Sequence, residues 1–169
     1  MNEKIFDKVF VGGGKTIGHL PDRVVSMLNN FMESGEHIIV GDAHGCDLAF
    51  QTYLSINGYP NVTVYCSGEK CRFNVGNWDE KHIDVPEGME GYEFFREKDY
   101  AMINHCDCAL LVYERRSIAT RSYIYNLKAL GKPVFAFNVE RDCFKISRRK
   151  SASRVIITTC SRSTRRIGR

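Results

Sequence analysis

The sequence predicts a three-layer α/β domain, in which a five-stranded parallel sheet with strand order 3-2-1-4-5 lies between helices on both faces. Short β-rich apolar runs alternate along the chain with segments of helical spacing, which is the pattern of βαβ units. Right-handed crossovers between parallel strands favour this order. The 169 residues, 43% of them hydrophobic, have the length and composition of one globular domain.

Three strands and two helices are predicted in the first half of the chain. The strands are the apolar runs at residues 8–11, 37–40 and 62–66. Pro21 suits the first turn of a helix, and the apolar residues after it share one face until Gly35 ends the helix. Asp47 favours the start of the second helix, which Asn57 terminates together with the glycine after it.

The second half repeats this alternation after an aperiodic stretch. Residues 67–91 are polar and keep no period, so we expect a long loop over the sheet edge that closes as a lid on a ligand. Helical spacing returns at 93–105 and again at 120–130. The most apolar run, 109–113, is the fourth strand and is expected to be central, and 134–137 is the fifth.

A boundary is predicted after residue 139, with the folded domain at 1–139 and a basic, solvated tail at 140–169. The tail has ten Lys and Arg residues against two acids, so the body before it is acidic. The run 155–159 within the tail suits an additional edge strand. Clustered arginines neutralise phosphates, so nucleic acid is a candidate partner through the tail only. A tail that only aids solubility, or one that is adventitious to the gene, is the favoured alternative.

Composition favours a soluble, cytoplasmic protein. No apolar run reaches the ~18 residues of a membrane helix, and the first residues lack the apolar stretch of a secretory signal. We therefore expect the seven cysteines to be reduced thiols. Cys66 and Cys71 lack the C-x2-C spacing of zinc sites, and no metal or cofactor is expected. Arg72 beside Cys71 makes this thiol a better nucleophile or redox sensor than a core cysteine.

Candidate site residues follow the predicted strands, because a parallel sheet opens a crevice at its carboxyl edge where the strand order reverses. After the first strand, Gly12, Gly13 and Gly14 let the backbone approach an anion, and Lys15 adds a positive charge. The spacing is neither that of a P-loop nor G-x-G-x-x-G. An ordinary turn at the strand end is the alternative.

The densest polar cluster follows the second strand. Asp42, next to Gly41, is placed to accept both hydroxyls of a ribose. We expect its side chain to have no buried partner, so that its loss weakens binding and leaves the fold stable. Asp47 suits either ligand binding or the positive end of a helix. His44 suits either acid–base chemistry or a solvated loop.

Basic and hydroxyl groups also follow the fourth strand. Arg116, Ser117 and Thr120 precede or open a helix, where free amides and a guanidinium form an anion site. Ser117 is equally suited to a plain N-cap. Glu114 supplies a carboxylate at the same strand end, and Arg72 in the long loop is a further ligand candidate.

The order of these motifs resembles the SLOG superfamily of Rossmann-like nucleotide-binding domains, which are related to the Lonely Guy phosphoribohydrolases and to nucleoside deoxyribosyltransferases. The resemblance covers about residues 8–138. It is carried by the glycine-rich first turn, Gly41-Asp42-Ala43-x-Gly45-x-Asp47, Val64-Tyr65-Cys66-Ser67-Gly68 with Cys71-Arg72-x-Asn74, and Ser117-x-x-Thr120. It implies a nucleotide-derived ligand, with phosphate at residues 12–14 and at Ser117 and Thr120, and sugar near Asp42.

The chain departs from the phosphoribohydrolases around Thr120. Those enzymes have two glycines before the threonine and a catalytic glutamate after it, whereas this chain has Ile118 and Ala119 before it and Arg121 after it. That hydrolase activity is therefore not carried over. We expect a homo-oligomer that senses or sequesters a nucleotide derivative.

An enzyme acting on an N-glycosidic bond, either a nucleoside or nucleotide hydrolase or a deoxyribosyltransferase-like protein, is the alternative function. Glu114 or Asp42 would then stabilise an oxocarbenium-like centre. His44 or Asp99 would act as the second polar group. The chain has no obvious pair of nucleophile and base, which favours the binding function.

Overall fold

The computed structural model describes residues 4–147, which form one mixed sheet covered by four helices. The elements in chain order are β1 (Lys8–Gly13), α1 (Asp22–Glu33), β2 (His37–Gly41), α2 (Cys46–Ile56), β3 (Val62–Ser67), β4 (Asp79–Ile83), α3 (Gly91–His105), β5 (Cys108–Tyr113), α4 (Ile118–Ala129), β6 (Val134–Asn138) and β7 (Cys143–Ser147). The strand order is β4-β3-β2-β1-β5-β6-β7.

The predicted fold class and strand order are confirmed. The five predicted strands are β1, β2, β3, β5 and β6, and each neighbouring pair among them is parallel. All four predicted helices are present within two residues of their expected bounds. The carboxyl ends of β1, β2 and β5 therefore lie side by side, with the order reversing between β1 and β5.

Two edge strands extend the predicted sheet. β4 pairs parallel to β3 inside the stretch 67–91, which we expected to be a loop. β7 pairs antiparallel to β6, from Asn138↔Cys143 to Val134↔Ser147, so the sheet continues past residue 139. The run 155–159 lies outside the described residues.

The core is divided by the sheet into two layers, because side chains of a strand alternate between its faces. Val9 and Val11 face α1 and α2, whereas Phe10 between them faces α3 and α4. Every residue of β5 is buried, as expected for a central parallel strand. Among residues 4–147, the helices are too short or too polar to cross a membrane.

Candidate ligand site at the carboxyl edge of the sheet

The glycine turn after β1 is packed tightly between the loops that follow β2 and β5. The Gly14 amide donates to the Val112 carbonyl oxygen at 3.0 Å, and the Gly14 carbonyl accepts from the Cys46 amide at 3.2 Å. A Cβ at Gly13 would overlap the Val112 carbonyl oxygen. Gly45 has a φ of +78° and lies against the Lys15 carbonyl. Close packing of neighbouring chain segments therefore accounts for the glycines at these positions without a ligand. The Lys15 side chain is exposed.

The loop after β5 places a basic rim beside the start of α4. The Ser117 hydroxyl accepts from the Glu114 amide at 3.1 Å, and within the described chain it makes no capping bond to α4. The Glu114 carboxylate accepts from the Thr16 hydroxyl at 2.7 Å and so joins the loops after β1 and β5. Arg115 and Arg116 are exposed. The first turn of α4 has no acidic residue, and in the loop before it the Glu140 carboxylate accepts from the Arg115 amide at 3.2 Å.

Asp42 lies at the end of β2 and is only 1% exposed. Its Oδ1 accepts from Nη2 of Arg72 at 2.7 Å, while its Oδ2 accepts from the Arg72 amide at 3.0 Å and from Nε at 3.3 Å. Nζ of Lys98 lies 4.0 Å from Oδ1. The expectation that Asp42 has no buried partner is therefore wrong. Its strand-end position was predictable, but the two cations that hold it come from distant segments.

A buried lysine is the centre of the charge cluster at this edge. Lys98, on α3, is 1% exposed. Its Nζ donates to Asp99 at 2.6 Å and to Asp47 at 3.5 Å. Asp99 also accepts from the Tyr123 hydroxyl at 2.8 Å. Burial lowers the pKa of Lys98, but the carboxylates of Asp99, Asp47 and Asp42 raise it by more, so the ammonium stays charged.

Asp47 is a buried carboxyl with a strongly shifted pKa. Burial raises its pKa to about 6, the Lys98 ammonium opposes that rise, and the charge of Asp99 adds to it. Its two oxygens lie beside Gly12 and Gly41, where side chains would crowd them. Asp47 can therefore exchange a proton near neutral pH at the ends of β1 and β2.

The remaining predicted residues have different surroundings. His44 is exposed, with its ring edge-on to Phe73 at 4.5 Å. The three predicted catalytic residues are thus held by different partners: Asp42 by Arg72, Glu114 by Thr16 and His44 by Phe73. Thr120 is 2% exposed and lies inside the first turn of α4.

Cys66 and Cys71 form a disulfide with a Cα–Cα distance of 5.1 Å, which differs from the expectation of reduced thiols. The sulfur atoms and a carboxylate oxygen of Asp42 lie within 4.8 Å of one another, as do the ligand atoms of Cys66, Glu80 and His82. These two groups are the candidate metal sites in residues 4–147, and both need Cys66 as a thiolate, so neither can hold a metal ion while the disulfide is formed. The other described cysteines are free: Cys46, Cys106, Cys108 and Cys143.

The fold is similar to that of DNA processing protein A. The solved structure of this protein from Helicobacter pylori, described by its single-stranded DNA binding mode, aligns with a TM-score of 0.56 and 17% sequence identity. The alignment covers 77% of this chain and 64% of that chain. Neither a protein-family model nor a curated protein matches the sequence. The likeness to DNA processing protein A is one of Rossmann-like α/β architecture.

Sequence reasoning missed Lys98 as a member of the site. One signal was present: Lys98 shares the helical spacing of Phe94, Ala101 and Met102, so it occupies an apolar position of α3. A lysine on the buried face of a helix needs a buried partner. The pattern identifies neither that partner nor Tyr123, which also belongs to the cluster.

We predict that Asp42→Ala destabilises the fold by about 2–3 kcal/mol, because charge-assisted hydrogen bonds are lost and Lys98 loses a nearby counter-charge. Urea denaturation followed by circular dichroism measures this loss. Asp84→Ala, which removes an exposed acid, is the matched control and should stay within about 0.5 kcal/mol of the parent. Equal stability of the two variants would contradict a structural role for Asp42.

Proposed function

We propose that the chain binds a nucleotide or nucleotide-derived ligand at the carboxyl edge of the sheet, as a sensor or a sequestering module. The observation that carries the proposal is the start of α4, which has no acidic residue in its first turn and has Arg115 and Arg116 exposed beside it. Backbone amides at a helix start attract anions, and guanidinium groups grip phosphate through two hydrogen bonds. Lys15 is exposed on the neighbouring loop and adds a third positive charge.

The phosphate would lie on this rim, outside the packed residues. Gly14 and Ser117 are buried against each other, which leaves the exposed side chains of Lys15 and Arg116 as the phosphate ligands. The sugar would extend from the rim towards Asp42. Because Arg72 now occupies both oxygens of this carboxylate, ribose binding there requires the guanidinium to move aside.

Titration of the copurified ligand tests this placement. Small molecules released from the denatured protein are identified by mass spectrometry, and the identified compound is titrated into the parent by calorimetry. Arg116→Ala should weaken binding about tenfold or more, since a charge-assisted hydrogen bond contributes about 1.5–3 kcal/mol. Lys128→Ala, in the last turn of α4, should leave affinity unchanged. Equal affinity of Arg116→Ala and the parent would remove the phosphate from this rim.

An enzyme of N-glycosidic bonds is the second candidate, and the Asp47 cluster favours it. A carboxyl with its pKa raised to about 6 can act as acid or base at neutral pH, and Asp99 beside it is a second carboxylate. The two functions differ in product. Incubation of the identified nucleotide with the protein should leave it intact if the chain is a binding module, whereas release of the free base indicates an enzyme.

Single-stranded nucleic acid, which is itself built of nucleotides, is a further candidate ligand. The Arg72 guanidinium stacks over Phe95 at 4.0 Å, and that of Arg96 lies 5.2 Å from Tyr92 and 4.9 Å from Tyr100. Tyr92 and Phe95 are exposed, and exposed aromatic rings beside arginines are surfaces on which single-stranded bases stack. Titration of a labelled single-stranded oligonucleotide into the protein tests this partner. The surface lies within the described residues, 4–147.

A further inference from the structure

The Cys66–Cys71 pair is coupled directly to the charge cluster through the chain. Cys66 is at the end of β3, and Cys71 immediately precedes Arg72 in the following loop. The peptide N–H of Arg72 donates to Asp42 at 3.0 Å, and its guanidinium holds both oxygens of the same carboxylate. Because the Cys71 carbonyl carbon is bonded to the Arg72 nitrogen, fixing Cys71 to the sheet also fixes the Arg72 amide.

The two sulfurs differ in their access to solvent. Cys66 is 0% exposed, whereas Cys71 is half-buried in the loop. Cys71 is therefore the cysteine of the pair that a small disulfide in solution meets first. This asymmetry is the arrangement of a redox-active pair, in which an accessible thiol reacts first and a buried thiol resolves the product.

The position of the disulfide indicates that breaking it would change only the loop around Cys71. It closes a loop with four residues between the cysteines, and so short a loop constrains the unfolded chain much less than a long one. Beyond Arg72 the chain has a separate anchor on α2: the Gln51 side chain donates to the Phe73 carbonyl at 3.0 Å and accepts from the Val75 amide at 3.1 Å. Before Cys71, Gly68 is anchored on β4, since its amide donates to the Ile83 carbonyl at 2.9 Å. Reduction would thus release residues 69–72 and leave Gly68 and residues 73–75 in place.

We propose that Cys66 and Cys71 are a thiol–disulfide exchange site that controls whether Arg72 covers Asp42. The Cys71 thiolate attacks a small-molecule disulfide, expels one thiolate and forms a mixed disulfide. The Cys66 thiolate then attacks the Cys71 sulfur and expels the second. Two protein thiols lose two electrons and two protons, and the small disulfide gains them as two thiols. Excess small thiol reverses both steps.

The state of the two cysteines would decide which cations contact the Asp42 carboxylate. In the disulfide form Arg72 occupies Asp42, and in the dithiol form the freed guanidinium leaves Asp42 with Lys98 at 4.0 Å as its remaining cation. A carboxylate released in this way is available to a polar ligand. Exchange at Cys66 and Cys71 and release of Arg72 do not depend on phosphate binding at the rim beside α4.

Chemical modification of the full chain tests the exchange step. The protein is incubated with glutathione disulfide or with dithiothreitol, alkylated, and cleaved by chymotrypsin, which cuts after Tyr65 and Phe73 and leaves both cysteines in the peptide 66–73. We expect this peptide to be unalkylated and internally bonded after glutathione disulfide, and alkylated twice after dithiothreitol. Two free thiols in both buffers would overturn the proposal.

Amide exchange measured by nuclear magnetic resonance tests the coupling. Reduction should speed exchange of the Arg72 amide about tenfold or more, since it loses a charged acceptor, while the Val75 amide on Gln51 should not change. Cys71→Ser should exchange at Arg72 like the reduced parent in both buffers. Cys143→Ser removes a half-buried cysteine of β7 as the matched control and should respond like the parent.

Two outcomes would refute the coupling or the redox role. Equal protection of the Arg72 amide in the oxidised and reduced protein would show that the disulfide does not control Arg72. Binding of one Zn²⁺ per reduced chain that prevents oxidation and is lost in Cys71→Ser would show a metal site in its place, formed with the Asp42 carboxylate.

Discussion

Lys98→Met is expected to destabilise the fold by about 3–5 kcal/mol, because it leaves buried carboxylates without their shared cation. Methionine fills a similar volume, so the packing of α3 on β3 should survive and the loss should come from charge. Asp99 is 2.6 Å and Asp47 3.5 Å from the ammonium that is removed. Asp42 would retain Arg72. Urea denaturation at neutral pH measures the difference.

The pH dependence of Lys98→Met separates charge from packing. The folded pKa of Asp47 is raised from 3.8 to about 6, so proton binding to this group stabilises the fold at low pH, and the contribution is lost as pH rises through about 6. Removing the ammonium raises this pKa further. The deficit of the variant should therefore grow from about pH 5 to about pH 8. A loss that does not depend on pH would indicate a packing defect.

Two further variants serve as controls for this lysine. Lys128→Met removes an exposed lysine from the last turn of α4 and should change stability by about 0.5 kcal/mol or less. Combining Lys98→Met with Asp47→Asn removes one uncompensated carboxylate and should recover part of the lost stability. Stability of Lys98→Met within about 1 kcal/mol of the parent would contradict the central role of this ion cluster.

The strands whose side chains are buried were predictable from the sequence, whereas the strand whose side chains are mostly exposed was not. The β5 residues are all buried, and their uninterrupted apolar run identifies a central strand. β4 has the sequence Asp-Glu-Lys-His-Ile, and four of its five residues are exposed, so it is formed by backbone pairing to β3 without an apolar pattern. Edge strands of this kind leave little trace in hydrophobic periodicity.

The site was predictable in position and not in its internal contacts. The rule that polar residues gather at the carboxyl ends of parallel strands located Asp42 and Asp47 correctly at one edge. The partners of these carboxylates come from segments 30 and 51 residues away, Arg72 and Lys98. Such pairs depend on how α3 and the loop after β3 fold back over the sheet, which local spacing does not determine.

Gly13→Ala is expected to cost about 3 kcal/mol of stability, because the added methyl group would overlap the backbone of β5. Gly13 pairs with Val112, whose carbonyl oxygen a Cβ would meet, and the same Cβ would lie 2.7 Å from Sγ of Cys46. A backbone carbonyl within a ladder cannot rotate away as a side chain can. The Gly14 amide, which donates to that carbonyl at 3.0 Å, would be displaced as well.

Gly18→Ala is the matched control, since a Cβ there would have no atom within 4 Å among the described residues. Its stability should stay within about 0.5 kcal/mol of the parent, or rise slightly because the unfolded chain loses freedom. Measuring ligand affinity for both variants distinguishes the two reasons for a glycine turn. A Gly13→Ala protein that keeps the stability of the parent but loses the identified ligand would show that Gly13 serves ligand approach. A destabilised protein that still binds when folded would assign the glycine to the packing of β1 against β5.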